Sequence, residues 1–345
     1  PFAALPQMAN VWLIQISPDS QVPKLIHELE KLMFVAYAER VPNYQLYYTP
    51  NDPELPQQWH LPQVNAQQAW DISKGSTTTI LAIVDDAVLL NHTDLIDNIY
   101  TNPNEIPNNN IDDDNNGYID DVNGWDAADQ DNNPNPPASA TDTYFTHGTH
   151  CAGIAAASTD NNTGIASLGF NTRILPIKCK ANNSPFPPAI ESPYEGVAYA
   201  IAANANIISM SWGGSLYSQT YQDMFTLAHN AGIILIAAAG NDNTTDPRYP
   251  SCYNHIISVG ATNEGNQKAD FSNYGTCIDI MAPGVNIYSS LAGSLTSYGF
   301  NNGTSMACPL VAGLAALLVG FDNDLTPDDV ENCLLTTAIN IDAIN

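Results

Sequence analysis

Four residues whose side chains can together carry out acyl transfer lie in four short segments, three of which contain glycine. They are Asp85 in IVDDAV (83–88), His147 in HGTHCAG (147–153), Asn241 in AAAGND (237–242) and Ser305 in NGTSMACP (302–309). Acyl transfer needs a nucleophile, a general base, a group that orients the base and donors for the developing oxyanion. Ser305 can attack while His147 moves the proton. Asp85 can hold the imidazole tautomer, and Asn241 can donate its amide to the oxyanion beside the Ser305 backbone N–H.

Short apolar runs alternate with helical patterns from residue 48 onward, and this predicts a doubly wound α/β fold with a mostly parallel sheet and helices on both faces. Predicted strands are Ile80–Val84, Ile174–Cys179, Ile207–Ser211, Ile233–Ala238, Ile256–Val259 and Ile278–Met281. Predicted helices are Val197–Asn204, Gln219–Asn230, Thr304–Val319 and Pro327–Thr336, and His147 opens another. Sites in such folds lie at the carboxyl ends of strands, which is where Asp85, Ser211 and Asn241 fall.

The composition excludes some classes of partner. The 345 residues include 36 acidic and nine basic side chains, for a net charge of −27, which would repel nucleic acid and anionic membranes. The longest apolar run, Pro309–Phe321, is too short to span a bilayer and contains glycines, so we expect a buried helix there. The chain starts without the charged and apolar regions of a signal peptide, and we expect any secretion signal to have been removed or to lie outside this sequence.

The order Asp, His, Ser and the sequences around these residues resemble the subtilase family, the subtilisin-like serine proteases, over residues 48 to 340. The resemblance is to the thermitase-like and proteinase-K-like branches, through YTPNDP (48–53), HGTHCAG (147–153) and the FSNYG-to-APG segment (271–284). It implies a secreted, monomeric endopeptidase that acts on proteins or peptides without an organic cofactor. Two alternatives stay open, which are a transpeptidase or macrocyclase with the same triad and a catalytically inactive calcium-dependent binding module.

One departure from the family lies beside the predicted triad. The family usually has Ser or Thr and then Gly after the catalytic Asp, whereas this chain has Asp86 and Ala87. The second carboxylate would either perturb the ionisation of Asp85 or point to solvent. The acidic composition of the chain favours the second possibility, in which the Asp86 side chain points to solvent.

The resemblance also implies a substrate groove. Ser211, Trp212 and Gly213 would pair with an extended peptide by strand addition. The primary specificity pocket would be lined by Ala237, Ala238, Ala239 and Gly240. Arg248 falls near the floor of that pocket, where it would either select acidic side chains or be neutralised by Asp242. If Tyr47–Tyr48 is a self-cleavage junction, the pocket must accept Tyr47, and this favours large apolar or aromatic residues at the cleaved bond.

Residues 1–47 resemble the second half of the inhibitory propeptide of subtilases, and 48–345 the catalytic domain. VWLIQIS (11–17), a helix around Lys24–Leu32 and MFVAYAERV (33–41) predict a small α+β unit of strand, helix and strand. The resemblance implies that this propeptide lies in the cleft with residues 44–47 in the non-primed subsites.

An acidic insertion at 102–143 predicts calcium binding, because nine of the 36 acidic residues lie between Glu105 and Asp131 and would repel one another without a cation. DDDNNGYIDD (112–121) matches part of an EF-hand loop. The expected ligands are Asp112, Asp114, Asn116, Tyr118, Asp120 and Asp121.

The resemblance implies two further calcium sites and one disulfide, so we expect one to three ions in total. One site would use Asp52, Asp94, Asn161 and Thr163 with backbone oxygens of Ser158 and Ile165. The other would use Asp126, Asp129, Asp131, Asn133 and Asn135. The disulfide would join Cys252 and Cys277, while Cys151 and Cys308 would be buried free thiols.

Overall fold

The structure is a computed structural model that describes residues 10–17, 21–41, 48–184 and 189–341. It divides the chain into two compact units, Pro1–Leu46 and Tyr47–Asn345. Residues 42–47, which include Tyr47 of the predicted junction and the residues expected in the non-primed subsites, lie outside the described part. The boundary between the units lies one residue before that junction.

The larger unit is built on a seven-stranded parallel sheet, which confirms the predicted α/β class. Along the sheet the strand order is β2-β3-β1-β4-β5-β6-β7. The strands are β1 (Ile80–Asp85), β2 (Trp125–Asp126), β3 (Arg173–Lys178), β4 (Ile207–Met210), β5 (Ile234–Ala238), β6 (Ile256–Thr262) and β7 (Ile280–Pro283). Two more strands, β8 (Ile287–Ser290) and β9 (Tyr298–Asn301), form a separate antiparallel pair.

Helices cover both faces of the sheet. Successive residues of a strand point to opposite sides, so each strand packs against helices on both faces. Leu81 and Ile83 of β1 pack with one group of helices, whereas Ala82 and Val84 pack with another. The first group contains α4 (His147–Ala156) and α7 (Thr304–Phe321). The second contains α5 (Pro193–Ala202) and α6 (Gln219–Asn230). The other helices are α1 (Val22–Glu30), α2 (His60–Gln63), α3 (Ala66–Trp70) and α8 (Pro327–Thr337), with short 3-10 turns at Leu55–Gln57 and Ile96–Asn98.

Helix α7 is the central apolar helix, and it carries the sequence TSMACP at its start. Within the described residues it is the one helix that is long and apolar enough to cross a membrane, and 67% of it is buried inside the structure. This burial agrees with the predicted core helix. The chain enters α7 through Gly303, whose φ of +153° suits glycine.

The smaller unit differs from its prediction. Helix α1 forms close to the expected place, but within residues 10–17 and 21–41 there is no strand. A strand needs a neighbour to satisfy its backbone hydrogen bonds. The apolar side chains of the expected strands are also exposed, at 76% for Trp12 and 85% for Phe34. The apolar pattern alone therefore did not produce a sheet here.

Candidate active site

The structure brings the predicted base and its orienting carboxylate into contact. Asp85 is the last residue of β1 and His147 the first of α4, and Nδ1 of His147 lies 2.8 Å from Oδ1 of Asp85. Asp85 is buried, whereas the imidazole is 39% exposed. Burial opposes a charged imidazole, but the negative charge and hydrogen bond of Asp85 outweigh it and raise the pKa of His147 above its usual value.

Ser305, the predicted nucleophile, lies in the same cavity as this pair. It is the second residue of α7, so its backbone N–H belongs to the first turn, where such groups have no acceptor within the helix. Its Oγ donates a hydrogen bond to the carbonyl of Ser211 at 3.1 Å. The hydroxyl of Ser211 donates in return to the Ser305 carbonyl at 3.0 Å. These two bonds fix the end of β4 against the start of α7.

Asn241 is held at the start of α7 by its oxygen. Its Oδ1 accepts hydrogen bonds from the backbone N–H of Thr304 at 2.9 Å and from the Thr304 hydroxyl at 3.0 Å. Because the oxygen is engaged in this way, the amide Nδ2 is the group available for an oxyanion.

The expectation that Asp86 faces solvent is wrong. Asp86 is 8% exposed, and its carboxylate accepts the backbone N–H groups of Ala87 and Gly148, both at 2.8 Å, and of His147 at 3.2 Å. Burial and the charge of Asp85 raise the pKa of Asp86 to about 6, while His147 and these N–H groups act against the shift. The acidic composition gave no information about this position, because the strand end is set by the fold rather than by surface charge.

A cleft with a volume of about 1030 Å³ runs past Asp85, His147 and Ser305. Ser211, Trp212 and Gly213 line it as predicted. The indole of Trp212 donates to the carbonyl of Val84 at 2.9 Å, which ties this segment to β1. Much of the remaining wall is aromatic and comes from Tyr144, Phe145, Tyr194, Tyr217, Tyr221 and Tyr249.

The predicted pocket residues Ala237, Ala238 and Ala239 are buried at the end of β5, and neither they nor Gly240 after them line this cleft. Arg248 forms a salt bridge with Asp242, with Nε and Nη2 at 3.0 and 2.9 Å from the same carboxylate oxygen. Of the two possibilities left open by the sequence, this pairing favours the neutralised arginine.

The acidic insertion brings carboxylates together around a residue that the sequence reasoning missed. Oxygens of Glu105, Asp114 and Asp121 lie within 4.8 Å of one another, and Glu105 and Asp121 are buried. Burial raises the pKa of Asp121. Asp112 and Asp120, like Glu105, accept backbone N–H groups within the loop. The ring of Tyr118 packs against Trp125 and Tyr199, and the Asn116 amide contacts Asp114 and Asp121. The only signal for Glu105 was its place at the head of the acidic cluster.

Residues of the first site taken from the resemblance lie close together in the structure. Asp94 is fully buried and Asp52 is 3% exposed. Asn161 joins them, with its backbone N–H on Asp52 at 3.3 Å and its amide on Asp94 at 2.9 Å. Thr163 N–H bonds to Asn161, Ile165 N–H to the Asp94 carboxylate, and Ser158 N–H to the Asp94 carbonyl. Burial chiefly, with the charge of Asp52, raises the pKa of Asp94 to about 7.

The second site taken from the resemblance already contains a cation of the chain itself. The buried ammonium of Lys178 contacts the carboxylates of Asp126 and Asp129. Nearby, Asp131 accepts the backbone N–H of Asn133, and the amide of Asn135 bonds to the Asn133 side chain. Lys178 was not recognised from the sequence, because one lysine in a predicted strand gives no sign of the face it occupies.

The cysteines agree with expectation. Cys252 and Cys277 form a disulfide with a Cα–Cα distance of 5.4 Å. Cys151 and Cys308 are buried free thiols, and the Cys151 Sγ lies 3.8 Å from Nδ1 of His147.

Comparison with known proteins identifies the class to which this fold and cleft belong. A sequence model described as the subtilase family (Peptidase_S8) matches residues 76–344, and the chain belongs to this family. It is a subtilisin-like serine protease, and as such it acts on proteins or peptides.

Thermitase from Thermoactinomyces vulgaris is 39% identical over 272 residues, which cover 79% of this chain and 85% of thermitase. An extracellular protease from Xanthomonas campestris is 37% identical over 313 residues, covering 84% of this chain but only 53% of that protein. A solved protease structure from Pseudoalteromonas arctica superposes with a TM-score of 0.65 at 28% identity, covering 85% of this chain and 93% of that one.

Proposed function

We propose that the chain is a secreted, calcium-stabilised endopeptidase that hydrolyses peptide bonds through Asp85, His147 and Ser305, with Asn241 as an oxyanion donor. The observation that carries this proposal is the 2.8 Å contact between His147 and Asp85 in a cleft that also contains Ser305. Extracellular location is supported by the disulfide and by the similarity to the extracellular protease from Xanthomonas campestris.

We expect these groups to divide the reaction as follows. Ser305 Oγ attacks the scissile carbonyl while Nε2 of His147 takes its proton, and Asp85 stabilises the resulting imidazolium. The tetrahedral oxyanion is bound by the Asn241 amide and the Ser305 backbone N–H. His147 then protonates the leaving amine. Water attacks the acyl-enzyme in the same way and releases the acid.

The specificity pocket is proposed to accept large apolar or aromatic residues. Arg248 lies where it could attract an acidic side chain, but both of its contacting nitrogens are bound to Asp242. The aromatic side chains of the cleft wall, among them Tyr217 and Tyr249, offer apolar surface instead.

One peptide-library digestion tests both the reaction and the preference. Hydrolysis gives two fragments whose masses sum to the substrate plus one water, and the new carboxyl termini should be Tyr, Phe, Leu or Met. Fragments joined to an added amine in place of water would instead indicate a transpeptidase. A profile dominated by Asp or Glu would contradict the neutralised Arg248.

Calcium is proposed at two of the three predicted sites. The residues fit the ion at Asp52, Asp94 and Asn161, and at Glu105, Asp114 and Asp121, because carboxylate and amide oxygens are what calcium prefers and these residues lie close together. Bound there, the ion would neutralise the grouped carboxylates. Asp126 and Asp129 are neutralised by Lys178 instead.

Chelation should therefore lower the melting temperature sharply. An ion whose free concentration is 1,000 times its Kd stabilises the folded state by about 4 kcal/mol. For a domain of this size that corresponds to about 6 °C per site. Scanning calorimetry with calcium and with EDTA measures the difference. Asp94→Asn and Glu105→Gln should each remove part of this difference in melting temperature, whereas Asp223→Asn, at an exposed residue, should leave it unchanged. The same melting curve in EDTA and in calcium would rule out structural calcium.

Residues 1–47 are proposed to be a propeptide remnant that is released at Tyr47–Tyr48. The separation of the chain into compact units at Leu46 and Tyr47 supports this division.

A further inference from the structure

Two adjacent carboxylates at the end of β1 hold the same histidine by different groups. Asp85 contacts the imidazole ring at 2.8 Å. Asp86 instead accepts the backbone N–H groups of His147 at 3.2 Å and of Gly148 at 2.8 Å. The ring and the backbone of His147 are thus fixed to two consecutive residues, the last of β1 and the one that follows it.

The contact with Asp86 supplies a helix cap that the local sequence does not. Thr146 precedes α4 at the N-cap position, but its side chain makes no capping hydrogen bond. Its hydroxyl instead accepts the backbone N–H of Ala292 at 2.7 Å. The first N–H groups of a helix need acceptors from outside, and a negative charge at this end is favourable. Asp86, which directly follows β1, provides both the acceptors and the negative charge.

We propose that Asp86 is a positioning residue for catalysis, whose carboxylate caps α4 and so fixes both the location and the proton affinity of His147. The proposal rests on the function proposed above for His147. It assigns a role to the position at which this chain departs from the Ser or Thr that is usual in the family.

The charges around Asp86 make the role measurable. Asp85 faces it on β1, His147 on α4 and Lys180 on the segment after β3. Attraction between Asp86 and His147 is mutual, so an ionised Asp86 raises the proton affinity of His147. The pKa of Asp86 is raised to about 6, chiefly by burial. Above that pH the carboxylate is charged and supports the imidazolium, and below it the carboxylate takes up a proton and the cap weakens.

Three substitutions of Asp86 separate its role as a hydrogen-bond acceptor for α4 from the effect of its negative charge. Asp86→Asn keeps one acceptor and removes the charge, Asp86→Ser restores the usual family hydroxyl, and Asp86→Ala removes both. The acid limb of kcat/KM reports the general base of the free enzyme. We expect Asp86→Asn to move that limb to lower pH by about half a unit to one unit. Asp86→Ala should lower kcat about 10- to 100-fold with little change in KM, because small misplacements of a catalytic group are costly. Asp86→Ser should recover part of that loss.

The exposed Asp270→Asn is the matched control for loss of one negative charge and should leave the acid limb in place. A pH profile of Asp86→Asn that coincides with wild type, together with an unchanged kcat in Asp86→Ala, would overturn the proposal.

A titration of His147 by NMR in a Ser305→Ala background does not depend on turnover. We expect a lower His147 pKa when Asp86→Asn is added, even if the chain proves to have no peptidase activity. An unchanged His147 pKa would contradict the proposal, whereas missing activity alone would contradict the proposed function.

Discussion

Replacing Ser305 with alanine is expected to lower peptide turnover about 10⁶-fold, the loss that the corresponding change causes in subtilisin, a member of the same family. The change removes the nucleophilic oxygen, and the described contact that it breaks is the hydrogen bond to the Ser211 carbonyl. The core around α7 is otherwise retained, so the melting temperature and the affinity for peptide should stay close to wild type. Initial rates on a fluorogenic peptide in calcium measure the loss.

Intact mass after incubation extends this experiment to the chain itself. Wild type should lose residues 1–47, and Ser305→Ala should keep them. Ser294→Ala, which removes an exposed hydroxyl outside the cleft, is the matched control and should behave as wild type. Turnover that survives in Ser305→Ala would contradict the assigned nucleophile. Masses that stay unchanged in both proteins would contradict self-cleavage after Tyr47.

The sheet was predictable because each of its central strands is a continuous apolar run buried on both faces. β1, for example, starts at the predicted residue and ends one residue later, at Asp85. The site was predictable for a related reason. Strand ends in a parallel sheet lie at one edge, so Asp85, Ser211 and Asn241 had to lie on the same side.

Other features depended on contacts that sequence spacing does not encode. β2 has two residues and follows an acidic loop, so it has too little pattern to be recognised. The buried position of Asp86 depends on the N–H groups of α4, which lie 61 and 62 residues away. Lys178 meets Asp126 only because β3 pairs with β2, and that pairing places residue 178 beside 126. In each case the partner is distant in sequence and close in space.

Replacing Asn241 with alanine is expected to lower kcat about 10²- to 10³-fold with little effect on KM. This magnitude is the one known for removal of the corresponding oxyanion donor in subtilisin. The donor is worth more to the transition state than to the substrate, because negative charge develops on the oxygen only during attack. Steady-state kinetics on a peptide with an aromatic residue at the cleaved bond separates kcat from KM.

The oxygen and the NH₂ group of the Asn241 side chain can be tested separately. Its oxygen accepts the backbone N–H and the hydroxyl of Thr304, so alanine also removes a contact at the start of α7. Asn241→Asp keeps that acceptor and replaces the amide donor with a second oxygen, which would repel the oxyanion. We therefore expect aspartate to be at least as damaging to kcat as alanine. Asn243→Ala, at an exposed residue nearby, should leave kcat unchanged. If aspartate restored activity, the loss in alanine would come from the Thr304 contact, and the oxyanion role of Asn241 would be wrong.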